Sequence, residues 1–175
     1  MAIRTWDVLV DGFWDVADNW GGILPNTDDD VVIDVDDVDI TVTHRAGNTA
    51  INSLVSDESL AVSSGTFTVQ EIADLNSFLT ITGGRAIFNG TSNVEKLSLI
   101  DGRLSVLGTL ITESDSRWNG GIIDGTGELI NQGVFEISGS DKFLRSTLTN
   151  EGDILHKDSV VRFTNGILNN STDGN

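Results

Sequence analysis

The sequence predicts an all-β parallel β-helix (β-solenoid) with a right-handed coil and an N-terminal capping segment, and three observations lead there. Apolar residues alternate with period two, as in Leu60, Val62 and Phe67, Val69, while helical spacing is hard to find anywhere. Nineteen glycines stand against one proline in 175 residues, which suits many short strands and turns better than a helical bundle. A strand-glycine-strand unit also recurs at an almost constant interval.

That unit is Leu60-x-Val62-x-x-Gly65-x-Phe67-x-Val69. It returns as Leu79-x-Ile81-x-x-Gly84-x-Ala86-x-Phe88 and as Leu97-x-Leu99-x-x-Gly102-x-Leu104-x-Val106, with glycines 19 and 18 residues apart. A further 19 residues brings Gly121, flanked by Trp118 and Ile123 in matching positions. One coil of a solenoid stacks on the last at about 4.8 Å and needs this kind of period without a helical crossover. Phe67, Ala86, Leu104 and Ile123 are then expected in one inward column, and Val69, Phe88 and Val106 in the next. The glycines take corners where a side chain would be penalised. Past Gly121 the interval slips, but Ile130-x-x-Gly133-x-Phe135-x-Ile137 and Val161-x-Phe163-x-x-Gly166-x-Leu168 read as the same signature, with Leu148, Gly152 and Ile154 a looser member between them. The competing arrangement is an antiparallel sandwich or barrel in which each glycine marks a hairpin turn. Regular spacing over four units favours the solenoid.

Residues 1–47 differ from 48–175. They hold three of the four Trp, and positions 1–39 carry eleven Asp against a single basic residue, Arg4. This part reads as cap and first strands, and 48–175 as coils in the same structural unit. The turn-like stretch 169–175 suggests a piece of a longer protein. An exposed first coil would offer an open apolar column and an unpaired strand edge, and Trp6, Trp14 and Trp20 are large enough to plug it. A sugar-stacking platform is the functional alternative for these rings.

The run Thr5-Trp6-Asp7, Trp14, Asp18-Asn19-Trp20-Gly21-Gly22-Ile23-Leu24-Pro25 and Asp28-Asp29-Asp30-Val31-Val32-Ile33 resembles the opening of large bacterial surface proteins, autotransporter-like passenger domains and adhesins built on parallel β-helices. The resemblance covers about 30 residues and implies an architecture without a particular activity. No β-barrel translocator accompanies it.

A formal charge of −17 excludes a general nucleic-acid binder, which needs a concentrated basic surface, and an anionic membrane would repel it. Without cysteine there are no disulfides, thiolate metal sites or cysteine nucleophiles. No apolar run approaches the roughly 20 residues of a transmembrane helix, and the opening residues lack a long apolar region followed by a cleavage site.

Candidate chemistry is sparse. The aspartate run Asp28, Asp29, Asp30, Asp34, Asp36, Asp37 and Asp39 invites a Ca²⁺ reading, but it fits neither an EF-hand loop nor a Ca²⁺-binding β-roll. A strand, a turn at Asp36-Asp37 and a second strand account for most of it. A weak Ca²⁺ site at Asp28, Asp29 and Asp30 is the one metal candidate. His44 and His156 read as ordinary surface or strand residues. Arg85 and Arg103 fall at the same outward position of successive coils, as an anion-binding pair or as a charge ladder with Asp101, Glu95 and Asp124. The Thr-x-Thr triplets at 41–43, 66–68 and 80–82 suggest an ice-binding array, but Thr66 and Thr68 are succeeded by Arg85 and Ile87, then Arg103 and Ser105, so no ladder is expected. Asn170-Ser171-Thr172 fits the glycosylation acceptor pattern.

The expected function is a non-enzymatic structural or adhesive scaffold of a secreted or cell-surface bacterial protein, with carbohydrate or a host or cell surface as partner. Alternatives are a polysaccharide-modifying β-helix enzyme, a Ca²⁺-stabilised extracellular module, and a trimeric fibre segment or other self-stacking homo-oligomer.

Overall fold

In the computed structural model, which describes residues 2–171, about seven turns of parallel strands stack in register. The expected turn over 169–175 and the acceptor tripeptide ending at Thr172 therefore lie partly outside the described residues. No helix among these residues is long and apolar enough to cross a membrane.

Each turn has three faces. The first complete turn is formed by Asp30–Ile33, Thr41–His44 and Asn48–Ile51, and the second by Ser53–Ser56, Ser59–Val62 and Thr66–Val69. Strands pair in parallel with their counterparts in the adjacent turn, so Asp30 meets Ser53, Thr41 meets Ser59 and Asn48 meets Thr66. Longer strands such as Ala73–Ile81 and Lys142–Asn150 bend through two faces. Because side chains alternate between sheet faces, every second residue enters the interior, and the core is one continuous stack of apolar columns along the coil.

The expected third-face column is continuous. Phe67 stacks on Ala86, Ala86 on Leu104 and Leu104 on Ile123, and it extends through Leu144 to Phe163. Val69, Phe88 and Val106 form its neighbour. Leu60, Leu79 and Leu97 line the second face. The first face is the one the repeat reading did not resolve. Its inward positions pass from Leu54 through Ala73, Ser92 and Leu110, with too little residue likeness to announce a column.

Gly65, Gly84, Gly102 and Gly121 all sit at the corner before the third face with φ between +66° and +83°. A Cβ at Gly65 would stand 2.2 Å from the Gly47 carbonyl oxygen of the preceding turn. The units after Gly121 need correction. Gly133 lies between Gly121–Asn131 and Val134–Ile137, a first-to-second-face corner, and Phe135 pairs with Ser116 on the second face rather than extending the Phe67 column. Gly152 lies at that same corner one turn on, whereas Gly166 marks a third-to-first-face corner. The interval appeared to slip because glycine moved to other corners, while the stack kept its register.

The front segment is itself a partial turn. Ile3–Thr5 pairs in parallel with Asp30–Ile33, and Gly12–Phe13 pairs with Thr41–His44. Trp6, Trp14 and Trp20 are buried over the first coil. Trp6 meets Trp20 edge-on at 5.0 Å, Trp14 lies 4.7 Å from Trp20, and Trp14 reaches the top of the third-face column at Phe67, 4.8 Å away. The Trp20 indole N–H donates to the Trp14 carbonyl at 2.9 Å. Asp37, with φ of 63°, makes the expected turn between the two strands of the acidic run.

Candidate functional site

Charge is sorted by face. The third-face strands carry the outward Arg85, Arg103, Arg145 and Arg162 and the buried Lys142, together half of the ten basic residues on a chain of net charge −17, against one acid, Asp124. The first-face strands carry Asp30, Asp74 and Glu128 with no basic partner. The third face is therefore a cationic strip on an anionic rod.

Strand register builds its centre. Arg85 pairs with Arg103, and Ser105 pairs with Ile87 on one side and Asp124 on the other. Arg85 Nε donates to Ser105 Oγ at 2.8 Å, Ser105 Oγ donates to Asp124 Oδ1 at 2.5 Å, and Arg103 Nη1 donates to Asp124 Oδ2 at 2.9 Å. Asp124 thus holds two guanidinium groups side by side and partly offsets their repulsion. Both arginines stay more than a third exposed. Two turns on, the Arg145 guanidinium lies 5.1 Å from the Phe143 ring, and Arg162 pairs with Asp141 at 2.9 Å. Ile87, Ile122 and Phe143 stand half-buried between the charges, so the strip offers flat apolar surface beside cations. The sequence reading picked out Arg85 and Arg103 but missed Arg145 and Arg162, although each occupies an outward position of the same face. No Thr ladder forms beside them, because Thr66 and Thr68 pair with Arg85 and Ile87.

Asp28, Asp29 and Asp30 take three separate tasks. Asp29 is buried and accepts from Arg4 Nε at 3.1 Å, the Ala2 amide at 3.2 Å, and the Asn26 amide and side chain at 3.2 and 2.6 Å. Burial alone would raise its carboxyl pKa, but the hydrogen bonds from Arg4, Asn26 and Ala2 and the Arg4 charge outweigh it and hold the group below its ordinary value. Asp30 accepts from Ser53 Oγ at 2.6 Å and Asn52 Nδ2 at 2.7 Å, and those bonds lower its pKa. Asp28 is exposed, with its amide donating to Asn26 Oδ1. Among the described residues, no group of three or more His, Cys, Asp or Glu side chains is arranged to hold a metal ion.

A cleft of about 300 Å³ lies beside the cap, lined by Trp14, Asp15, Asn26, His44, Arg45 and Thr49 among others. Arg45 spans it, donating to Asp15 at 3.0 Å while its guanidinium sits 3.6 Å above the Phe13 ring. His44 is a buried residue of the strand Thr41–His44, the strand setting expected of it. Its Nδ1 is 3.0 Å from the Ser64 carbonyl and its Nε2 is 3.1 Å from Thr49 Oγ1, a pair of partners that suits the neutral ring with Nδ1 as donor. Burial lowers its pKa, opposed by the Ser64 hydrogen bond and the Asp15 charge. His156, one column-end away, is exposed and lies 3.1 Å from the Ser159 carbonyl.

No family model, curated protein or solved structure matches the chain.

Proposed function

We propose that this chain is a non-enzymatic scaffold of a secreted or cell-surface bacterial protein, an anionic rod whose third face adheres to an acidic carbohydrate. The placing of four of the seven arginines on that one face carries the reading. Arg85, Arg103, Arg145 and Arg162 lie along the rod axis, where the regular spacing of the turns suits an extended polymer of repeated carboxylate or sulfate groups. Phe143, Ile87 and Ile122 supply apolar surface for sugar rings. The remaining surface is strongly acidic, which disfavours nucleic acid and anionic membrane as ligands and keeps rods from packing side by side.

The test is affinity electrophoresis in gels containing polygalacturonate, heparin or neutral dextran. Retardation by an acidic polymer but not by dextran, reduced at least tenfold in the Arg103→Glu/Arg145→Glu variant, is the expected result. Equal mobility in all three gels would overturn the adhesive reading. New reducing ends or unsaturated products released from polygalacturonate would favour the enzyme reading instead.

A further inference from the structure

Of the ten basic side chains, six pair with carboxylates and Lys142 is held by carbonyls. The remaining three are Lys96, Arg117 and Arg145. Among the described residues, Lys96 and Arg117 make no ion pair or hydrogen bond, although the chain carries 27 acids. Both line one groove of about 510 Å³ on the second face, partway along the rod.

Register builds this groove across three turns. Phe78 pairs with Lys96, Thr80 with Ser98, and Ser98 with Arg117. Leu79, Leu97 and Trp118 fill the interior, so their neighbours along each strand point outward onto one surface. Phe78 and Ile100 are each 46% exposed, and Lys96 Nζ stands 5.2 Å from the centre of the Phe78 ring. Asp115 adds an exposed carboxylate to the lining. Glu136, the register partner of Arg117 on the next turn, already accepts from Lys157 Nζ at 2.6 Å and Ser138 Oγ at 3.1 Å.

These features meet different parts of one kind of ligand. Two unpaired cations on successive turns suit a carboxylate, which would accept a charge-assisted hydrogen bond from each. The exposed Phe78 ring and Ile100 offer apolar surface to the C–H face of a pyranose. Thr80, Ser98 and Asp115 supply donors and acceptors for its hydroxyl groups. Two strand spacings, about 10 Å, leave room for one or two sugar rings. A simple anion would leave the aromatic ring unused, and a neutral sugar would leave both cations unpaired.

We infer that the second-face groove binds a single acidic sugar, with its carboxylate on Lys96 and Arg117 and its ring against Phe78. The groove shares no residue with the third-face strip, so this site and the adhesive reading can each fail alone.

Amide chemical shifts of the isotope-labelled chain, titrated with galacturonate, glucuronate, galactose or acetate at matched ionic strength, test the assignment. Saturable shifts at Thr80, Ser98 and Arg117 are expected with at least one uronate, with binding at least tenfold weaker for galactose and acetate. Lys96→Gln/Arg117→Gln should weaken the uronate response at least tenfold, and Arg103→Glu/Arg145→Glu should leave it unchanged. The proposal is overturned by no saturable shift with either uronate, by an equal response to acetate or galactose, or by shifts confined to the third face. If the glutamine variant fails to fold, the shift map and the four-ligand comparison on the native chain still decide.

Discussion

Lys142 stands where Gly121 stands one turn earlier. The two are paired across adjacent turns at the corner that Gly65, Gly84 and Gly102 occupy before them. The lysine is fully buried, and its ammonium donates to the Ser138 and Ser140 carbonyls at 2.9 and 2.6 Å and to Ser159 Oγ at 2.8 Å, 5.9 Å from the Trp118 ring. The turn before it is longer, and Gly139, with φ of +84°, takes the left-handed backbone there instead. A corner formed elsewhere by an absent side chain is here formed by a long one that fastens the lengthened loop.

Lys142→Met should therefore destabilise the fold by about 1–3 kcal/mol, because the Ser138 and Ser140 carbonyls and the Ser159 hydroxyl lose a charged donor that fastens the loop. Burial lowers the Lys142 pKa against the opposing charges of Asp158 and Asp141. Its folded-state pKa lies below its unfolded one, so burying the charge costs most at neutral pH and the cost fades as pH rises towards the unfolded value near 10.4. Urea titrations of parent and variant at pH 7 and pH 9.5 check both points.

The glycine corners give a graded comparison. Gly65→Ala meets both a positive φ and the Gly47 carbonyl oxygen, while Gly21→Ala meets a φ of +64° in open space. The Gly21 variant should lose about 1–2 kcal/mol and the Gly65 variant clearly more, read from paired denaturation curves. Equal losses would mean that the close approach between turns costs nothing.

Acidification should act through His44. Its depressed pKa means that the unfolded chain binds the proton more readily, so the contribution of the neutral ring is present above the unfolded pKa near 6.5 and is lost as pH falls below it. His44→Gln should flatten the stability difference between pH 8 and pH 5.5 relative to the parent. An identical slope in both proteins would remove His44 from the pH response.

The lead-in should depend on packing rather than on metal. Asp29 is already surrounded by protein donors, so melting in EDTA and in millimolar Ca²⁺ should give the same midpoint. Trp20→Ala should lower stability by about 3 kcal/mol, as for large core truncations. A Ca²⁺-dependent rise in midpoint would restore the acidic run as a cation site.

These residues also explain how much could be read beforehand. The second and third faces were legible because Leu60, Val62, Phe67 and Val69 flank a glycine that a tight corner requires, and because that corner repeats. The first face was not, since a column tolerates Leu54, Ala73, Ser92 and Leu110 in succession when a neighbouring turn compensates the volume. Later units were misplaced because glycine signals a tight backbone approach at any corner, and Gly133 and Gly166 serve different ones. The tryptophan plug was legible from side-chain size and position. The cationic strip was half legible: Arg85 and Arg103 share one interval, but Arg145 and Arg162 come into line only once the Lys142 turn is counted as 21 residues.

Parallel stacking in register is the central claim, and paired spin labels measure it most directly. Thr68 and Arg145 lie four turns apart on the outward third face, and Ala50 and Arg145 five. With both sites changed to cysteine in each pair, the account predicts narrow distributions centred near about 19 Å and about 24 Å, differing by one strand spacing. Broad distributions, or two pairs that do not differ by that step, would contradict the solenoid and favour an antiparallel arrangement of the same strands.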